Sequence, residues 1–176
     1  MPNVTPAEIE KAIRNVPDFP QPGIQFKDIT PVLADARLFS GVIELLTGNH
    51  LPGSVDAVVG IDARGFIFAA AVAEKLKAGF VPVRKKGKLP FQTIEQAYAL
   101  EYGQATVAMH IDALKPGAKV LLVDDLLATG GTSAAAAALV QKLGGKILEA
   151  VFLIELKFLD GRKKLPDVPI RSIIAY

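Results

Sequence analysis

Apolar positions along this chain come as short continuous runs and longer helical stripes, in alternation. Residues 57–61 and 120–123 are bounded apolar runs, which predict buried strands. Each is followed by a polar turn and a helical stretch. Residues 62–65 and 66–76 follow the first run, and residues 124–132 and the alanine-rich 133–143 follow the second. Gly144 and Gly145 stop that second helix. Further strands are predicted at 80–83, at 146–155 and, on a sheet edge, at 169–175. Residues 93–100 and 105–111 alternate and predict two antiparallel strands joined through Glu101, Tyr102 and Gly103. Near the start, Thr5, Pro6 and Glu8 form a capping box for a helix reaching about Arg14. Asp35 caps a second helix to about Asn49, its buried stripe being Leu38, Val42, Leu45 and Leu46. The proline-punctuated residues 16–31 between them read as too broken for regular structure, and residues 160–165 as a short polar turn or helix. The order predicts an α/β fold, a parallel sheet of about five strands with helices on both faces.

Composition narrows the field. With 176 residues, 51% of them hydrophobic, the chain is expected to form a single domain spanning 1–176 with a real core. A net charge of +2 is too small to argue for nucleic acid. There is no cysteine, which removes disulfides and thiolate chemistry and fits a reducing, cytoplasmic setting. The first residues do not read as a signal peptide, and no stretch reaches the roughly 20 apolar residues of a membrane span. His50 and His110 have no partners at metal or triad spacing, so both read as structural. No nucleophile elbow, P-loop or Gly-x-Gly-x-x-Gly string is present.

The polar turns carry the candidate chemistry. In open α/β sheets ligands sit beyond the carboxyl ends of strands, and a helix start offers unpaired N–H groups and partial positive charge that suit phosphate. Asp124 and Asp125 would repel phosphate but accept hydrogen bonds from sugar hydroxyls. With Thr129, Gly130, Gly131 and Thr132 they describe a ribose phosphate site; the plainer alternative is an aspartate N-cap on an ordinary strand–helix turn. Arg64 is either a surface partner of Asp62 or a guanidinium fork on a diphosphate. The run Arg84, Lys85, Lys86 and Lys88 is a solvated face, a nucleic-acid patch or a mobile basic flap. Phe26, in an apolar loop, either packs or lines a pocket.

The string from Val120 to Thr132 resembles the phosphoribosyl-pyrophosphate signature of the type I phosphoribosyltransferases, in the form found among the adenine-specific members. Four motifs agree with that family in order and spacing. The resemblance implies the type I phosphoribosyltransferase fold, a central parallel sheet flanked by helices with a small hood (about 1–34 and the C-terminal segment) and a flexible flap (about 84–105). It implies transfer of the phosphoribosyl group from 5-phosphoribosyl 1-pyrophosphate to adenine, giving AMP and pyrophosphate in purine salvage. Asp124, Asp125, Ala128, Thr129, Gly130, Gly131 and Thr132 would hold ribose 5-phosphate. Asp62, Ala63, Arg64, Arg84, Lys85 and Lys88 would hold pyrophosphate. The family often has a cis peptide in that first turn, and Ala63 lacks the hydroxyl of a serine found in relatives. Gln25, Phe26, Lys27 and Leu126 would hold adenine, Phe26 by stacking. Glu101 would be the general acid–base near purine N7 or N9. Mg²⁺ would be held mainly by substrate and water, with no dedicated protein ligands. A homodimer is the family's usual state. Two other readings are a 6-oxopurine enzyme and a non-catalytic phosphoribosyl-pyrophosphate regulator. The regulator is disfavoured because the flap and Glu101 are intact and no residues remain for a DNA reader.

Overall fold

The computed structural model describes residues 4–99 and 103–176. They divide into two compact units, one reaching to Leu45 and the other spanning Leu46–Tyr176. In the first unit the capping box forms as expected. The Thr5 hydroxyl accepts from the Glu8 amide at 3.3 Å, and the Glu8 carboxylate accepts from the Thr5 amide at 2.9 Å. The helix α1 (Pro6–Ala12) ends sooner than expected because Arg14 opens a strand.

Residues 16–31 are not irregular. Strand β1 (Arg14–Pro17) pairs antiparallel with β2 (Gln25–Asp28), Val16 opposite Phe26, and helix α2 (Thr30–Ala34) follows. The prolines are many but sit where pairing tolerates them. Pro17 ends β1, Pro20 and Pro22 lie in the connection, and Pro31 opens α2, none where a ladder amide is required. Phe26 is therefore a strand residue, its ring edge-on to Phe19 at 5.0 Å. Helix α3 (Ala36–Thr47) starts as predicted, with the Asp35 carboxylate accepting from the Arg37 and Leu38 amides at 2.9 Å each.

The larger unit holds strands β3 (Ala57–Ile61), β4 (Gly79–Lys85), β5 (Thr93–Ala99), β6 (Gln104–His110), β7 (Lys119–Leu127), β8 (Lys146–Glu155) and β9 (Ile170–Ala175). Among the described residues they form one seven-stranded sheet in the order β5-β6-β4-β3-β7-β8-β9. The five strands from β4 to β9 across that order run parallel; β6 and β5 extend it antiparallel. The C-terminal segment is the edge strand, as predicted.

Helix α4 (Arg64–Leu76) and helix α5 (Gly131–Lys142) cover opposite faces. Strand periodicity decides which residue faces which helix. Val59 and Ile61 of β3 pack in the cluster that includes Leu122, Phe152, Ala136, Leu139 and Val140, on the α5 side. Gly60 points the other way, where α4 lies so close that a Cβ would sit 2.6 Å from the Ala69 methyl and 2.9 Å from the Phe80 ring.

Two boundaries differ from expectation in ways that matter for chemistry. Strand β7 does not stop at Val123 but pairs with β8 through Leu127, opposite Glu155, so Asp124 and Asp125 lie within a strand. Four apolar residues mark the buried part of a strand, whereas hydrogen bonding to a longer neighbour carries it on. Likewise Arg84 and Lys85 belong to β4, opposite Ala108 and Val107, so the basic run begins on the sheet. No helix among the described residues is long and apolar enough to cross a membrane.

The tight contact at Gly60 predicts that Gly60→Ala costs about 1–3 kcal/mol through overpacking against α4. Urea unfolding should show a lower midpoint with an unchanged slope. A wild-type midpoint would mean that α4 is not seated on β3 as described.

Candidate active site

The carboxyl ends of β3 and β7 open into one cavity of about 340 Å³. Asp62, Ala63 and Arg64 line it from β3 and the start of α4. Asp124, Asp125, Leu126, Ala128 and residues 129–132 line it from β7 and the start of α5. Two βα corners that are far apart in sequence thus meet because their strands are neighbours in register, Gly60 opposite Val123.

The α5 corner is a helix start without a side-chain cap, its N-cap being Gly130 at φ +77°. The aspartate N-cap alternative is therefore not what the chain adopts. Ala134 donates to the Gly130 carbonyl at 2.9 Å, and the amides before it have no capping side chain. Gly130 is dictated twice over. Its φ favours glycine, and a Cβ there would strike the Gly161 carbonyl. Gly131 lets the Tyr98 ring of β5 lie against the helix start, 3.1 Å from where a Cβ would be.

The β3 corner supplies cations, though not in the pairing expected. Arg64 Nε lies 2.9 Å from Asp125 Oδ2, while Arg84 donates through Nε to Asp62 Oδ2 at 2.8 Å. The Asp62–Arg64 alternative fails for a topological reason. Asp62 donates its amide to the Val83 carbonyl of β4, which turns it toward Arg84; Arg64 opens α4 and reaches toward β7. Arg84 also donates to the Lys88 carbonyl at 3.0 Å, drawing the basic loop back toward the corner. Lys85 and Lys88 are exposed and do not line the cavity, and Lys86 pairs with Glu95 at 2.8 Å. The Asp62–Ala63 peptide is cis.

Electrostatics single out the two acids. Asp124 keeps part of its surface open to the cavity, yet protein surrounds its carboxyl. Burial first, and then the charge of Asp125, push Asp124 well above the usual carboxylate range. Burial also raises Asp125, against the pull of Arg64. The Asp125 amide donates to Asp124 Oδ1 at 2.9 Å, and Gly65 leaves the room that this oxygen needs. Asp125 Oδ2 touches Arg64 as an ion pair but accepts no directed hydrogen bond. Buried acceptors so placed suit hydroxyl donors of a ligand.

The cavity thus gathers every expected phosphate-site residue, together with Asp62, Ala63, Arg64 and Leu126. Gln25 is exposed and Phe26 and Lys27 are half-buried on β2, in the first unit. Glu101 lies outside the described residues. Ile61 and Ser133 also line the cavity. Ser133 was legible as the first residue of the predicted helix, which the structure starts two residues earlier at Gly131; Ile61 carried no signal beyond closing a strand.

The phosphoribosyl transferase domain family matches residues 30–172. The chain is 56% identical over 162 residues to the adenine phosphoribosyltransferase of Acidothermus cellulolyticus, covering 92% of each chain. It resembles the crystal structure of the Thermoanaerobacter pseudethanolicus adenine phosphoribosyltransferase at a TM-score of 0.93 and 52% identity, over 98% of this chain and all of the other. The Saccharomyces cerevisiae adenine phosphoribosyltransferase, complexed with an imino-altritol bisphosphate and adenine, aligns at a TM-score of 0.90 and 39% identity, over 96% and 97% of the two chains.

The raised Asp124 gives a stability prediction. Its ionisation opposes folding above the unfolded value of about 3.9, because the folded state holds the proton more tightly. Asp124→Asn should therefore raise the melting temperature at pH 7 by about 2–4 °C, roughly 1 kcal/mol for a chain of this size. The gain should vanish as pH falls toward 4. A lower melting temperature at pH 7 would show that the carboxylate is stabilised in the fold instead.

Proposed function

The chain belongs to the phosphoribosyltransferase family, and we propose from its site and its adenine-specific relatives that it joins adenine to 5-phosphoribosyl 1-pyrophosphate, giving AMP and pyrophosphate. The observation that carries this reading is the cavity in which two buried acids face an uncapped helix start. A ribose 5-phosphate presents hydroxyl donors at one end and an anion at the other, and that polarity matches the cavity. The amides at the start of α5 take the phosphate; Asp124 and Asp125 take the sugar hydroxyls. Arg64, released from Asp125 by those hydroxyls, turns to the diphosphate with Arg84, Lys85 and Lys88. Asp62 and Ala63 present backbone to the same group. Gln25, Phe26, Lys27 and Leu126 take adenine, Phe26 by its ring face.

As the bond from C1′ to the diphosphate oxygen breaks, positive charge develops on the ribose ring and negative charge on the leaving group. Cations already placed at the diphosphate stabilise that separation without reorganising. The acids hold the ring so that the base attacks in line. Glu101 handles the purine proton. Mg²⁺, when bound, neutralises the diphosphate. Mg²⁺ keeps waters and leans on substrate phosphates, so the ion would be carried mainly by the donor. A homodimer in the cytoplasm completes the proposal, on the strength of family membership.

The deciding assay supplies the purified protein with the phosphoribosyl donor, Mg²⁺ and each purine base in turn. AMP from adenine alone is expected. Turnover of hypoxanthine or guanine would favour the 6-oxopurine reading, and no turnover with any base would favour the regulator. Glu101→Gln should lower kcat by about 10²–10⁴ while dissociation constants for both substrates stay unchanged. An unaltered rate would remove Glu101 from the chemistry. Lys85→Ala should raise KM for the donor by about three- to tenfold. A change confined to the KM of adenine would place the basic loop elsewhere.

A further inference from the structure

The anion cup is shaped by a segment that no signature motif contains. Residues 128–130 lie directly against the backbone of Gly161, the first residue of the second of two short 3-10 turns, Lys157–Leu159 and Gly161–Lys164. A Cβ on Gly130 would strike the Gly161 carbonyl; one on Gly161 would strike the Ala128 carbonyl and sit 3.1 Å from the Gly130 amide nitrogen. Backbone therefore rests on backbone, with the Leu127 side chain beside the contact.

The residue after Gly161 fixes its place. Arg162 donates through Nε and Nη2 to the two oxygens of Glu155 at 2.6 and 2.7 Å, and through Nη1 to the Ile170 carbonyl at 3.1 Å. Ser172 donates to the same carboxylate. Glu155 is 4% exposed and stands opposite Leu127, the last residue of β7 before the cup. The Leu156 amide donates to the Leu127 carbonyl at 2.9 Å, and the buried Leu165 anchors the far end of the segment. A planar, bidentate fork on a carboxylate is directional, so it sets position as well as attraction.

We propose that Arg162, locked on Glu155, is a positioning residue for the 5-phosphate cup, acting through the contact of Gly161 with residues 128–130. This rests on the reading of that cup as the phosphate site. Loss of the fork frees Gly161 to retreat, and the loop then relaxes away from the geometry that aims its amides. The diphosphate corner is carried by β3 and β4 rather than by the loop at residues 128–130, and is unaffected.

The test measures binding of ribose 5-phosphate and of pyrophosphate separately by calorimetry, with steady-state kinetics. Arg162→Ala should weaken ribose 5-phosphate and raise donor KM by about tenfold, as a misplacement of a fraction of an ångström does. Pyrophosphate binding should stay within about twofold of wild type under the same argument. Arg162→Lys, which keeps the charge but not the fork, should recover only part of the loss. Gly161→Ala leaves the fork intact and pushes on the Ala128 carbonyl, so it should give the same selective loss; it carries the test if Arg162→Ala does not fold. Unchanged ribose 5-phosphate binding in a folded variant overturns the proposal. So does equal weakening of both ligands, which marks general loosening. Wild-type protein that binds pyrophosphate but not ribose 5-phosphate would overturn the reading of the cup, and this inference with it.

Discussion

Two adjacent acids beside an uncapped helix start, Asp125 buried and Asp124 half-buried, set the terms for everything around them. Burial raises both acids, and the charge of Asp125 raises Asp124 further; the helix start leaves amide donors with no capping side chain. Arg64 relieves part of the first cost by pairing with Asp125. A ligand with hydroxyls at one end and phosphate at the other relieves both. The site thus stores a complementarity that the protein alone does not satisfy, as buried polar groups at functional positions commonly do.

The sheet exists in the form it does to hold that arrangement still. Parallel β3 and β7 are neighbours, so their two βα corners open at the same edge. Both strands are apolar on both faces, buried between α4 and α5, and so leave little freedom to their ends. The glycines follow from this closeness. Gly60 admits α4, Gly65 admits the Asp124 carboxylate, and Gly130 admits the backbone of Gly161. Each replaces side-chain volume with a close approach, and at Gly130 that approach is backbone on backbone, which transmits position better than flexible side chains do.

Much of this was legible in the residues themselves. Continuous apolar runs located β3 and β8 to the residue, and alternation located the β5–β6 pair. The acids Asp124 and Asp125 and the small residues 128–132 could be singled out together because they follow one apolar run and open one helix, and a single cavity gathers them. Three things were not legible. The length of β7 depends on hydrogen bonding to β8, a property of the partner. The hairpin of β1 and β2 was hidden by prolines that sit where no ladder amide is needed. Which arginine meets which aspartate depends on strand order, and Asp62 and Arg64, close in sequence, diverge onto different neighbours.

The same reasoning explains why Gly161 and Arg162 escape any motif. A signature records residues that touch the ligand and lie close together in the chain. The wall behind an anion cup touches only the cup's backbone, and it is delivered by whichever segment the sheet edge returns to that place. Here β8 and β9 return it, through Glu155 and Ser172, more than twenty residues after the cup closes. Position in such a site is therefore shared between a local string that supplies chemistry and a distant fork that supplies distance. Only the first has a spacing that sequence can display.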